Sequence, residues 1–288
     1  MVSLPLARLR AAALATLSAL AAFLAGVLLL RRRFDHEIRT RVERLRAEGS
    51  PDESRALDAE RVTVDDYADL PEPVRGYFEN VLTAGEQYVR HVRLQQRGEF
   101  RLGDDERSWR PLTATQEYTT RPPGFVWDAR VSVAPLLPAR VVDQYAHGEG
   151  VLRAKLLGVF PVASAGPSPE MNEGELLRYL AEAVWFPTAL LPAFGVEWER
   201  LDESSARATL SHAGVTASAV FHFENDEIVR VTADRYRADS DRMEPWSGHF
   251  RAYDDRDGLT IPTAADVGWE REALPYWRAS VVSVAFTR

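Results

Sequence analysis

The spacing of hydrophobic positions changes three times along the chain, and each change predicts a different element. From Ala11 to Leu30 the run AAALATLSALAAFLAGVLLL carries no charge over 20 residues. At 1.5 Å per residue such a helix spans a hydrocarbon core of about 30 Å. From Phe34 the pattern turns amphipathic. Phe34, Ile38, Val42 and Leu45 recur at helical spacing among Arg and Glu, which predicts that the helix runs on as an interface-hugging extension. A coiled-coil seam is the rival, and under two heptads is short for one. The stretch from Ala47 to Arg61, with Gly49, Ser50, Pro51 and many acids, reads as a solvated linker. The expected division is an anchor with its extension over 1–47, a linker over 48–64 and a folded domain over 65–288.

Within that domain Leu70-Pro71-Glu72-Pro73 opens a short helix, with Val74, Tyr77, Phe78 and Val81 as its apolar stripe. A period of two follows. Val92, Leu94, Phe100 and Leu102 interleave with Arg93, Gln95, Arg97, Glu99 and Arg101, as in a strand with one wet side. The same alternation returns with Phe125, Trp127, Ala129, Val131 and Val133, and again with Val215, Ala217, Ala219, Phe221 and Phe223. His147-Gly148, Ala213-Gly214, Asn225-Asp226 and Asp257-Gly258 supply the turns. About ten strands are expected up to the run from Ser280 to Phe286.

One helix interrupts them, expected to start at Asn172 with Glu175 closing a capping box and to stop before Pro187. On it Glu175, Arg178, Tyr179 and Glu182 form one stripe, continued by Trp185 and Phe186. The fold class is α+β, mainly antiparallel β. It is expected as a strongly curved open sheet, or half-barrel, covered by helices and preceded by one transmembrane helix.

Charge changes the picture of the anchor. Residues 1–46 hold nine Arg against Asp35, Glu37 and Glu43, a balance of +6, while the rest of the chain carries −14. An acidic domain argues against nucleic acid as a partner. The bilayer, met through residues 11–30, is the expected one. A cleaved signal peptide, with Arg8 and Arg10 as its basic start and Ala19-Leu20-Ala21 as its cleavage site, is the alternative to a retained anchor. Its apolar region would be too long, and cleavage would leave Phe23 to Leu30 as a hydrophobic stump. The count of Arg near each helix end turns the domain toward the cytoplasm, whereas a carrier-like architecture would turn it outward. Both sides stay open.

Candidate chemistry is sparse. The chain has no cysteine, which removes disulfides and thiolate metal sites. His91, His212, His222 and His249 lack the HxH or HExxH spacing of a zinc site, and no Gly-x-Gly-x-x-Gly or phosphate loop is present. No metal and no cofactor are expected. Ser164 and Ser247 lack the Gly-x-Ser-x-Gly elbow of a nucleophile. The candidate ligand-binding residues are therefore Glu175, Arg178, Tyr179, Glu182 and Trp185 on the helix, Trp127 on a strand, and Asp143 and His147 before a Gly-rich turn. The charged stripe has a plainer explanation in ion pairs that orient the helix over the sheet, and Asp143 with His147 has one in turn chemistry.

Several phrases carry a resemblance. Leu70-Pro71-Glu72-Pro73-Val74-Arg75-Gly76-Tyr77, the run from Pro122 to Ala129, Asp143-Gln144-Tyr145 with Gly148-Glu149-Gly150, and the long GELLRYLAEAVWFPTALLP from Gly174 to Pro192 resemble a family of uncharacterised bacterial membrane-anchored domains. With Tyr276-Trp277 the likeness covers about residues 65–288. It implies a domain of unknown function that commonly follows an N-terminal hydrophobic segment. In strand–helix–strand order alone the chain is similar to half-barrel carriers of lipoproteins and lipids, a likeness that transfers no residue. Three functions follow as expectations: binding a lipid or other hydrophobic molecule in the concavity of the half-barrel; acid–base, hydrolase-like catalysis by Glu175, Arg178 and Glu182; or a non-catalytic scaffold for a protein partner.

Overall fold

The computed structural model describes residues 6–47, 61–238 and 240–288. Most of the linker expected over 48–64 lies outside them. Arg61 and Val62 already belong to the folded domain, Arg61 bridging to Gln87 and Val62 being buried.

Thirteen antiparallel strands form one open sheet in the order β6-β5-β4-β3-β2-β1-β13-β12-β11-β10-β9-β8-β7. β1 (His91–Arg101), β2 (Trp109–Thr120), β3 (Pro123–Ala134), β4 (Leu137–Ala146), β5 (Glu149–Leu156) and β6 (Phe160–Ala165) make one meander. β7 (Val196–Arg200), β8 (Ser205–His212), β9 (Val215–Glu224), β10 (Glu227–Arg237), β11 (Arg242–Arg256), β12 (Leu259–Trp269) and β13 (Trp277–Thr287) make the second. The two meet at one seam, β1 against β13, where Gly98 faces Ala279. A Cβ on Gly98 would lie 2.0 Å from the Arg278 carbonyl oxygen, so only glycine lets the seam close. The strand count exceeds the expected ten because β6 is short and almost wholly exposed and β7 has only five residues, so neither shows an apolar alternation. Leu102, expected on β1, lies past its end and is exposed. Four hairpins close on consecutive positive-φ residues at the dipeptides expected as turns: His147-Gly148, Ala213-Gly214, Asn225-Asp226 and Asp257-Gly258.

The sheet curls around a central helical segment. α1 (Leu6–Ala47) and α2 (Glu72–Val81) are followed after β6 by α3 (Pro169–Glu182), which continues through short 3-10 turns to Phe194. α3 touches β3, β4 and β5 of one meander and β9 and β10 of the other. At their tips the two arms meet, with Tyr145 Oη 3.0 Å from His212 Nδ1 and Gly148 packed against Ala213. The sheet is bent onto itself without strand pairing to close it. α2 buries Val74, Tyr77, Phe78 and Val81 against the second meander. Pro71 is its N-cap and Pro73 lies in its first turn, where a missing N–H costs nothing.

α1 departs from the expected interface-hugging path. Its residues through Leu30 form an apolar helix long enough to cross a membrane. Beyond them Phe34, Ile38 and Leu45 are buried against Val126, Val142 and Ala146 on the convex face of β3 and β4. The domain itself covers the stripe, which answers both the interfacial and the coiled-coil expectations. Polar contacts flank the contact: Arg46 with Glu117 at 2.8 Å, Arg41 with Gln144 at 2.6 Å, Glu37 with Arg153 at 2.6 Å, and Asp35 with Arg140.

Candidate functional site

From Gly174 to Glu182 no residue of α3 is exposed, which is unusual for a stretch carrying three charges in eight residues. Its start differs from the expected capping box. Ser168 is the N-cap, its Oγ accepting from the Met171 N–H at 3.1 Å, and Pro169 follows in the first turn. Asn172 instead accepts from the Gly150 N–H of β5 at 2.8 Å. Gly150 lets the helix come that close, since a Cβ there would lie 2.6 Å from the Met171 carbonyl oxygen. Glu175, freed from capping, points into the core.

The period-two register supplies the opposing wall. On β2, Leu112, Ala114, Gln116 and Tyr118 share the concave face. They pair with Val131, Ala129, Trp127 and Phe125 of β3, and Trp127 and Phe125 in turn with Asp143 and Tyr145 of β4. Polar side chains thus stand at inward positions among aromatic ones. Arg178 reaches across from α3 and donates to Asp143 Oδ2 at 2.5 Å and to Glu182 Oε1 at 2.9 Å. Its guanidinium lies 5.0 Å over the Phe125 ring and 4.9 Å over that of Trp127. Glu182 Oε2 accepts from Gln116 at 2.7 Å and from the Tyr118 hydroxyl at 3.0 Å. On the other arm Arg235 of β10 donates to Glu175 Oε1 at 3.0 Å. Trp127 Nε1 donates to Gln96 at 2.9 Å.

The Arg178–Asp143 ion pair and the hydrogen bond from Arg235 to Glu175 therefore pin α3 to both arms, and the protonation of Glu175 follows from its burial. Desolvation, reinforced by the charge of Asp143, pushes the Glu175 carboxyl up to about 8 against the pull of Arg235 and Arg178. Burial likewise raises Asp143, opposed by Arg178 and Arg235. Desolvation would pull Arg178 down, but Glu182 and Asp143 outweigh it and hold the guanidinium above its usual range. Asp143 Oδ1, Gln116 Oε1, Gln96 Nε2 and Glu175 Oε2, the oxygen that carries the proton of the neutral carboxyl, are buried without a hydrogen-bond partner among the described residues, as is Trp185 Nε1.

Of the residues singled out in the sequence, Glu175, Arg178, Glu182, Asp143 and Trp127 converge here. Tyr179 is buried in the same layer and packs edge-on against Phe186. Trp185 packs against Phe250 of β11. His147 does not join Asp143: it sits exposed in the β4–β5 turn, while Asp143 faces inward. Arg235, Gln116, Tyr118 and Gln96 are members that the sequence reading missed. Their signal was position, since each falls at an inward place in a strand otherwise lined by Val, Ala or Leu. Among the described residues no three His, Asp or Glu side chains gather as a metal site. Two depressions of about 350 and 220 Å³ open to solvent. The larger lies over Arg97, Thr113, Thr115, Asp128 and Arg130 and is also lined by Gln96 of this cluster.

Comparison with known proteins bears on the domain as a whole. Residues 60–279 match the model of a family of unknown function, DUF6544. No curated protein matches. Among solved structures, a LolA superfamily protein from Nitrosomonas europaea aligns at 7% identity, covering 75% of this chain and 92% of its own, with a TM-score of 0.35. A beta-barrel-like protein of the domain of unknown function DUF1849, from Brucella abortus, aligns at 11% identity over 70% of this chain and 99% of its own, with a TM-score of 0.27.

Proposed function

We propose that this chain, which belongs to the DUF6544 family of unknown function, is a membrane-tethered binding protein. It takes a lipid or other hydrophobic molecule between the concave face of its sheet and the segment 169–194. The observation that carries this reading is the set of unmatched buried polar atoms, Asp143 Oδ1, Gln116 Oε1, Glu175 Oε2 and Gln96 Nε2, on an aromatic wall. A buried polar atom without a partner costs about 1–3 kcal/mol, and a native core rarely keeps several close together. Unmatched acceptors and donors side by side suit a polar end that both donates and accepts, such as a hydroxyl, while Trp127, Phe125 and Phe186 suit an apolar body. Entry requires α3 to lift, because the Arg178–Asp143 ion pair and the Arg235–Glu175 hydrogen bond hold it down. The apolar part of α1 keeps the domain at the bilayer, where such molecules partition.

Native mass spectrometry of the full chain, gently extracted from membranes, tests the reading. The expected spectrum shows an added lipid-sized mass that Glu175→Gln and Asp143→Asn diminish. A folded chain without adduct, whose unfolding temperature is indifferent to added lipid, overturns it. One observation favours a second reading as a closed scaffold for a protein partner: the core packs α3 and the turns after it tightly into the concavity.

A further inference from the structure

α1 is laid along the sheet in a fixed direction. Going back from its C-terminal end, Leu45 meets Gly124, Arg41 meets Gln144, Glu37 meets Arg153, and Phe34 lies under the Lys155 ammonium at 4.0 Å. The next step is Arg31, whose Cγ is 3.6 Å from where a Cβ on Gly158 would stand. The tips of the β3–β4 and β5–β6 hairpins therefore reach the level at which the apolar run ends.

Those tips are apolar. Leu136 is 96% exposed and holds φ at 63°, and Leu157 holds φ at 57°. A left-handed backbone costs an L-residue about 1–2 kcal/mol that glycine avoids. Leucine at both places, with Phe160 and Val162 exposed on edge strand β6, is a poor choice for a tip in water. Arg31, Arg32 and Arg33 stand exposed at the same level.

We propose that the β3–β4 and β5–β6 tips are a second membrane contact, Leu136, Leu157 and Phe160 resting in the headgroup layer of an anionic bilayer beside the end of the spanning helix. The inference depends on the reading of α1 as membrane-spanning. Apolar side chains flanked by cations suit this layer: the former enter the acyl boundary and the latter meet lipid phosphates. Since α1 is packed on β3 and β4, two contacts on one rigid unit would stop the domain from pivoting. The β4–β5 turn, with Glu149, would point away from the bilayer.

The chain's lack of cysteine makes the test direct. Single variants Leu136→Cys, Phe160→Cys and Glu149→Cys of the full chain carry an environment-sensitive fluorophore in vesicles of phosphatidylcholine and phosphatidylglycerol. Lipids spin-labelled near the headgroup are the quencher. Labels at 136 and 160 are expected to be blue-shifted and quenched severalfold more than the label at 149. Equal, weak quenching at all three, in a chain that resists alkaline washing, overturns the membrane contact and leaves the spanning helix standing. A chain washed off the vesicles overturns both.

Discussion

The Arg178 guanidinium of α3 donates to the Asp143 carboxylate of β4 at 2.5 Å, joining a helix to a strand 35 residues away in the chain. The guanidinium lies over the Phe125 and Trp127 rings, and both partners are largely withdrawn from water. Arg178→Met should therefore cost about 3–5 kcal/mol by leaving buried carboxylates without their cation. Urea unfolding of the wild type and the variant measures it. A loss below about 1 kcal/mol, the range of an exposed pair, would show that the cluster opens to solvent.

Glu175 makes stability depend on pH in a stated direction. Its folded value of about 8 stands above the usual carboxylate value of 4.5, so between those limits the folded chain keeps a proton that the unfolded chain has released. Stability from this group is complete below about pH 4.5 and is lost as pH rises toward 8, with a slope of about 1.4 kcal/mol per pH unit for one whole proton. Glu175→Gln should flatten that slope and be the more stable protein at pH 8. Parallel unfolding curves for both proteins across this range would refute the raised value.

The seam at Gly98 is the only strand pairing among the described residues that joins the two meanders. Gly98→Ala would drive a methyl group into the β13 backbone and should destabilise by about 1–3 kcal/mol. Gly85→Ala is the comparison, since it has open space but a φ of 90°. Thermal unfolding that ranks Gly98→Ala as harmless would mean that the seam is looser than its register.

The docked half of α1 can be released without unfolding the domain, because Phe34, Ile38 and Leu45 form a cluster separate from the main core. Ile38→Asp should expose Arg39, Arg41 and Arg44 to trypsin severalfold faster while the domain's near-ultraviolet circular dichroism persists. Unchanged cleavage would show that the polar contacts to Gln144, Arg153 and Glu117 suffice to hold the helix.

How much of this was legible in the sequence depends on what sets each feature. The apolar run, α2, the β-rich domain and the hairpin turns follow from local rules, period and turn chemistry, and all were readable. The docking of α1 was not. Its stripe at Phe34, Ile38, Val42 and Leu45 looks the same whether a bilayer or a sheet covers it, and only Val126 and Val142, at outward positions of their strands, mark the partner. The site was half legible. Arg178 and its carboxylates stood out as charges on one stripe of a helix, but Arg235 and Gln116 are set by which strands the curled sheet brings opposite α3, a tertiary fact. Asp143 and His147, four residues apart in the chain, end on a concave wall and on an exposed turn because the strand ends between them, in keeping with the turn-chemistry alternative for His147.

In the binding reading a hydrophobic molecule enters between α3 and the concave face once the helix has lifted. A full-chain sample in native membranes, fed a photo-reactive lipid analogue, is illuminated and mapped by peptide mass spectrometry. Cross-links are expected within 169–194 and on β3 around Trp127, weakened when Asp143→Asn and Glu175→Gln remove the polar anchor. Cross-links confined to the apolar run of α1 and the hairpin tips, with none inside the sheet, would contradict it.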